Sequence, residues 1–207
     1  MLLVTAEDNR RIADAIAEAE QTTAGEIVAV IAPASGNYVF VPFLWAGLAA
    51  LALPWPLIFF TWWPVQDIYL LQLAVYAGLL LLLAHRPVRL ALVPKAVKHA
   101  HAHRRALAQF VAQNLYTTVG HTGVLIFVSV AEGFAEIIAD GAISAKVPQS
   151  EWDAIVADLT RHIGQGEPTE GFVRAIRAVG GHLARHFPPL AAQSKALPNH
   201  LIVLPGA

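Results

Sequence analysis

Between Glu26 and Asp67 lie 40 consecutive positions without a charged side chain. Within them Tyr38–Trp63 is apolar almost throughout, with Phe43, Leu44, Trp45, Leu48, Leu51, Leu57, Ile58, Phe59 and Phe60. A helix that crosses a bilayer needs about 20 apolar residues, and this run is long enough. Pro54 and Pro56 predict a kink, which lipid-embedded helices tolerate better than water-exposed ones. A second uncharged run, Ile68–Ala84, has 17 residues and is densest in leucine from Leu79 to Leu83. The link Thr61-Trp62-Trp63-Pro64-Val65-Gln66-Asp67 reads as a tight turn at the headgroup level, where tryptophan is favoured. Composition agrees: 56% of residues are hydrophobic, 14% are charged and the mean hydropathy is +0.53. Soluble domains carry about 25% charged residues. The sequence therefore predicts a transmembrane hairpin over 37–86, with spans at about 38–61 and 68–84. A cleaved signal peptide does not fit, because the first apolar run begins near residue 38 without a charged leader.

Orientation follows from the cations. No Lys or Arg occurs from Ile12 to His85, whereas Arg86, Arg89, Lys95, Lys98, Arg104 and Arg105 follow the second span. No Asp or Glu falls between Asp67 and Glu132. The positive-inside rule places this flank in the cytoplasm. Two spans return the chain to its starting side, so both termini and the soluble parts are expected there, in an integral protein of the bacterial inner-membrane type.

The flanking segments read as one interrupted domain, residues 1–36 and 87–188. Thr5 is an N-cap signal, Glu7 and Asp8 suit the first helical turn, and Ile12, Ile16 and Ala19 mark one face. Glu26–Ala32 is an almost continuous β-branched run, the pattern of a strand buried on both faces. Its partners lie beyond the hairpin. Pro94–Leu115 has a helical pattern, Val124–Val130 is a second buried strand, and Phe134–Ala139 pairs with it as a hairpin across Ala131-Glu132-Gly133. A helix from Ser150 to about Ile163 starts with a capping-box pattern. Thr169 caps a last one, from Glu170 to about His186. Residues 189–207 read as a loose tail, although His200–Leu204 is apolar enough to dock. The expected fold class is α/β, a small helix–sheet–helix sandwich interrupted by a two-helix transmembrane hairpin.

Four stretches, Thr23-Ala24-Gly25-Glu26-Ile27-Val28-Ala29-Val30, Thr122-Gly123-Val124-Leu125-Ile126-Phe127-Val128-Ser129, Phe134-Ala135-Glu136-Ile137-Ile138-Ala139-Asp140-Gly141 and Gly171-Phe172-Val173-Arg174-Ala175-Ile176, resemble the TPM domain family. That family is named after a thylakoid lumen protein, a photosystem II repair protein and a membrane modulator of a receptor. The resemblance covers the soluble parts and implies an α/β sandwich, service of membrane complexes, and in some members divalent-metal binding or weak phosphatase activity. Where the family's strand often ends in Gly-x-Gly, this chain has Ala139-Asp140-Gly141-Ala142.

Candidate chemistry is sparse. Asp140 follows a buried-type strand, and with Glu136, Glu151 and Asp153 it offers oxygens for a hard cation such as calcium or magnesium. The same residues also suit a turn and a helix start. His99 and His103, like His182 and His186, lie one helical turn apart, but no His-Glu-x-x-His accompanies them. Without cysteine the chain has no thiol nucleophile, disulfide or iron–sulfur ligand. P-loop, G-x-G-x-x-G and G-x-S-x-G patterns are missing. A net charge of −1 and the lack of aromatics among the basic residues argue against nucleic-acid binding. The expected partners are the lipid bilayer and a membrane protein. The expected role is a non-catalytic accessory or interaction module for a membrane complex; the alternative is a divalent-metal-dependent, phosphatase-like hydrolase.

Overall fold

The computed structural model describes residues 4–118, 120–189 and 199–206. In chain order the elements are α1 (Ala6–Gln21), β1 (Glu26–Ala32), α2 (Phe40–Ala52), α3 (Pro54–Phe60), α4 (Val65–Ala84), α5 (Arg86–Leu92), α6 (Lys95–Ala112), β2 (Gly123–Ser129), β3 (Phe134–Ala139), α7 (Gly141–Ser144), α8 (Gln149–Gly164), α9 (Pro168–His186) and β4 (Leu201–Val203). They divide into two compact units. One is Gly36–Lys98, and the other is formed by the chain before and after it.

The larger unit is a mixed α/β sandwich around a four-stranded sheet of order β3-β2-β1-β4. β1 runs parallel to β2, from Glu26 opposite Gly123 to Ala32 opposite Ser129, and parallel to β4 on its other side. β3 is antiparallel to β2. All seven residues of both β1 and β2 are buried, as their unbroken apolar runs require. The pleat sends Ile27, Ala29, Ile31, Val124, Ile126 and Val128 to one face, against Ile12 and Ile16 of α1, Leu159 of α8 and Phe172, Ile176 and Val179 of α9. Val28, Val30, Leu125 and Phe127 face the other way, onto Ala102 and Ala106 of α6 and onto Leu115. α1 opens with a reciprocal cap: Thr5 Oγ1 accepts from the Asp8 N–H at 3.1 Å, and Asp8 accepts from the Thr5 N–H at 2.9 Å. α1 and α9 approach so closely that a Cβ on Gly180 would stand 2.7 Å from the Ala19 Cβ. Any larger residue there would push the two helices apart.

In the smaller unit α2 and α4 pack together, burying Ala46 and Ala50, small residues one turn apart. Leu53, between α2 and α3, keeps helical angles (φ −59°, ψ −43°), so the two pieces form an apolar stretch of 21 residues, Phe40–Phe60. α4 adds a second of 20, and both have a mean hydropathy of 1.9 with 11% of their most apolar window buried. These are two helices long and apolar enough to cross a membrane.

Several boundaries differ from the sequence reading. α4 starts at Val65 rather than Ile68, because Pro64 is an extended N-cap and shortens the turn. The segment after the second run holds its own short helix, α5, before α6, and α6 ends at Ala112. Asn114 then turns left-handed (φ 54°) into a single 3-10 turn at Leu115–Thr117. α8 follows Pro148 instead of a Ser150 cap, and Thr169 falls inside the first turn of α9. The tail is not loose throughout. Residues 190–198 lie outside the described residues, but Leu201–Val203 is the β4 edge strand, with Leu201 buried and its N–H donated to Asn9 Oδ1 at 3.0 Å.

Candidate functional site

α1 leads into β1 through four residues and α6 precedes β2, so both run against the parallel strands. The end of α9 returns to the start of β1, where the Phe187 carbonyl accepts from the Ala24 N–H at 3.0 Å. The amino ends of these helices therefore gather at the carboxyl edge of β1, β2 and β4, the side of an open α/β sheet where ligand sites form.

A buried polar network occupies that edge. The Ser35 N–H donates to both oxygens of Glu132, each at 3.0 Å. The Ser129 hydroxyl donates to Glu132 Oε2 at 2.5 Å, and the two serine oxygens are 2.6 Å apart. Ser129 has one proton and gives it to the carboxylate, so Ser35 is the donor between the hydroxyls. All three side chains are buried. Beside them Arg105 donates to the carbonyls of Ala34 at 3.0 Å and Pro205 at 2.8 Å, tying together the extensions of β1 and β4. Next to Ser129 lies an apolar cavity of about 250 Å³ lined by Val128, Gly133, Phe134, Ala135 and Ile163. The Ser–Glu contact resembles a nucleophile beside its base, but Ser129 is wholly enclosed, so in this state it fixes the turn after β2.

The four carboxylates singled out by sequence are not brought together. Asp140 caps α7, accepting from the Gly141 N–H at 2.6 Å, and its other oxygen is 3.1 Å from His121 Nδ1. Glu136 faces α6, with both oxygens 2.9 Å from His103 Nδ1. Glu151 stands 3.7 Å from His182 Nε2, and Asp153 accepts from the Gln149 amide at 3.0 Å. Among the described residues no three His, Asp or Glu side chains form a group able to hold a metal ion. The physical reason is the strand period. Phe134 and Ile138 turn toward α6 with Glu136 between them, whereas α8, which carries Glu151 and Asp153, covers the opposite face.

The histidines divide likewise. His99 packs its ring 5.1 Å from that of Phe134, one strand pair along from the His103–Glu136 contact. His182 packs 5.8 Å from the Trp152 ring. A groove of about 320 Å³ runs beside the His103–Glu136 pair, bordered by Ser144, Gln149 and Trp152.

Sequence reasoning missed Ser35, Ser129, Glu132 and Arg105. The available signal was a serine closing an otherwise apolar strand, with an acid three residues later, the first after a stretch of 64 residues without one.

No protein-family model and no curated protein matches the chain. The structure is similar to the NMR structure of the BA42 protein from the psychrophilic bacterium Bizionia argentinensis. The TM-score is 0.60 and the identity 22%, over 97% of this chain and 94% of that one. At that identity the likeness shows a shared fold.

Proposed function

We propose that this chain is a membrane-anchored, TPM-like α/β module that serves a neighbouring membrane complex without catalysing a reaction of its own. The hairpin Phe40–Ala84 spans the bilayer, and the α/β unit and both termini lie on the cytoplasmic face. The observation that carries this reading is the pair of apolar helices, with bulky side chains such as Phe59, Phe60 and Leu81 turned outward. Water cannot accommodate such a contiguous apolar surface on a monomer, whereas hydrocarbon does. The cation-rich flank after α4, against none before it back to Arg11, supports the orientation.

A metal-dependent hydrolase would need carboxylates converging on one cation. Asp140, Glu136, Glu151 and Asp153 each engage a different neighbour, which favours the accessory reading over the hydrolase.

The test is a reporter fused after Ala207, read from both sides of the membrane. Cytoplasmic signal is expected, and signal from the opposite side would overturn the orientation and the choice of partner. Calcium- or magnesium-dependent phosphoester turnover that disappears in Asp140→Ala would overturn the non-catalytic reading.

A further inference from the structure

The Nε of Arg89 is shielded from solvent yet meets no hydrogen-bond partner among the described residues. An arginine stays charged, so a desolvated N–H of this kind cannot escape by losing its proton. Buried donors are almost always paired, so this orphan marks a fixed charge whose compensation within the chain is incomplete. Arg89 belongs to α5, which packs against α2 and α4, and its neighbour Leu90 joins buried Tyr38, Val41 and Val93 in a small cluster. The guanidinium is thus mounted on an ordered support.

Its electrostatic surroundings identify the acceptor. His85–Lys98 contains Arg86, Arg89, Lys95 and Lys98 and no acid. Asp67, the one carboxylate of the Gly36–Lys98 unit, belongs to the first turn of α4, at the other end of that helix. Lys98 donates to the Leu90 carbonyl at 3.3 Å and closes the corner between α5 and α6, while Lys95 is exposed. This collar begins two residues after the last residue of α4, so anything it holds lies where a spanning helix meets the headgroups.

We infer that the α5 collar is a binding site for the phosphate of an anionic glycerophospholipid, with Arg89 as the anchor and Lys95 at its rim. The inference rests on the membrane-hairpin reading and goes beyond it, because a span requires only bulk lipid. A zwitterionic headgroup brings its own cation against Lys95, so the collar prefers a net negative one. The exposed apolar flank of α4 at Leu81 and Leu82 receives the acyl chains.

The experiment titrates the detergent-purified full chain with dioctanoyl phosphatidylglycerol, dioctanoyl phosphatidylcholine and inorganic phosphate, read by native mass spectrometry. Phosphatidylglycerol should bind at least about fivefold tighter than phosphatidylcholine, the equivalent of about 1 kcal/mol for one cation near a membrane surface. Arg89→Gln should remove that preference, and inorganic phosphate should not bind in the same range. Equal affinity for the two lipids, an unchanged Arg89→Gln, or phosphate binding as tightly as phosphatidylglycerol would each overturn the site. Circular dichroism checks that Arg89→Gln folds. If it does not, exposed Lys95→Gln gives the same reading, with a smaller expected loss of about twofold. Flotation with phosphatidylcholine vesicles after a carbonate wash separates the two levels of the argument. Protein that stays on the vesicles without a lipid preference overturns the collar alone, and protein that washes off overturns the hairpin together with it.

Discussion

Phe127 and Phe59 are the same residue in opposite surroundings. Phe127, in β2, is 0% exposed, and Phe59, in α3, is 73% exposed. Both stand in uncharged apolar runs. What separates them is length and neighbours. β2 is seven residues long and enclosed by helices on both faces, so its apolar surface is removed from water within the unit. The stretches Phe40–Phe60 and Val65–Ala84 are 21 and 20 residues long and apolar all round, and pairing them buries one narrow stripe of each. Apolar composition alone is thus no predictor of a core, because the α/β unit satisfies its apolar residues internally and the hairpin leaves most of its own outward.

The largest expected effect tests that contrast directly. Phe127→Ala should cost about 3–5 kcal/mol, the transfer term plus the cavity left between the sheet and α6. Phe59→Ala should change the stability of the α/β unit by less than about 0.5 kcal/mol. Hydrogen exchange at the β2 amides reads both, and comparable losses would erase the distinction. Next in size is Leu73→Arg near the middle of α4. Exchanging a leucine for an arginine at the centre of a span costs about 3–4 kcal/mol of insertion, so the membrane-integrated fraction should fall steeply. Val111→Arg changes an exposed apolar residue of the α/β unit and should leave that fraction unchanged. If both variants behave alike, the hairpin is not in hydrocarbon.

The two acids of the β2–β3 hairpin sharpen the comparison within the α/β unit. Glu132→Ala strips the acceptor from the buried Ser35 N–H and Ser129 hydroxyl and should cost about 1–3 kcal/mol. Glu136→Ala breaks a half-exposed contact with His103 and should cost less than about 1 kcal/mol. Thermal unfolding of the two variants side by side checks the order, and a reversed order would mean that the carboxyl-edge network does not hold the turn after β2.

These pairs also mark what was legible in the sequence. β1, β2, β3 and the two long apolar helices were readable because their signals are local: β-branched runs, a glycine turn, and 40 positions without charge. The α1 cap was readable because its two partners are three residues apart. The Ser35–Ser129–Glu132 network was not, because it joins residues 94 and 97 positions apart across the whole inserted hairpin. β4 was hidden for a similar reason. Three residues make no strand signal, and Leu201 is fixed by Asn9 and by its register with Ala29. The dispersal of the acidic set was hidden because alternate β3 side chains face opposite ways, so Glu136 turns to α6 while Glu151 and Asp153 sit on α8. The α5 helix was not legible because seven residues carry too little periodicity, although Pro87 occupies a first-turn position where it costs nothing.

The smallest effect belongs to the start of α1. Thr5→Ala removes one half of the reciprocal cap and should cost about 1 kcal/mol. Its pH dependence has a definite sign. The hydrogen bond from the Thr5 hydroxyl, then that from the Thr5 N–H, hold the Asp8 carboxyl below its ordinary value, with slight burial opposing them. A carboxyl whose folded pKa is depressed contributes stability above its unfolded pKa of about 3.9, and that contribution is lost as pH falls through the folded value. The cost of Thr5→Ala should therefore be full near pH 7 and smaller near pH 3, and the Asp8 resonance should titrate at a higher pH in the variant than in the parent. Asp8 is partly exposed, so added salt should shrink the charge-dependent part. A cost that does not vary between pH 7 and pH 3 would show that the hydroxyl caps the helix without help from the Asp8 charge.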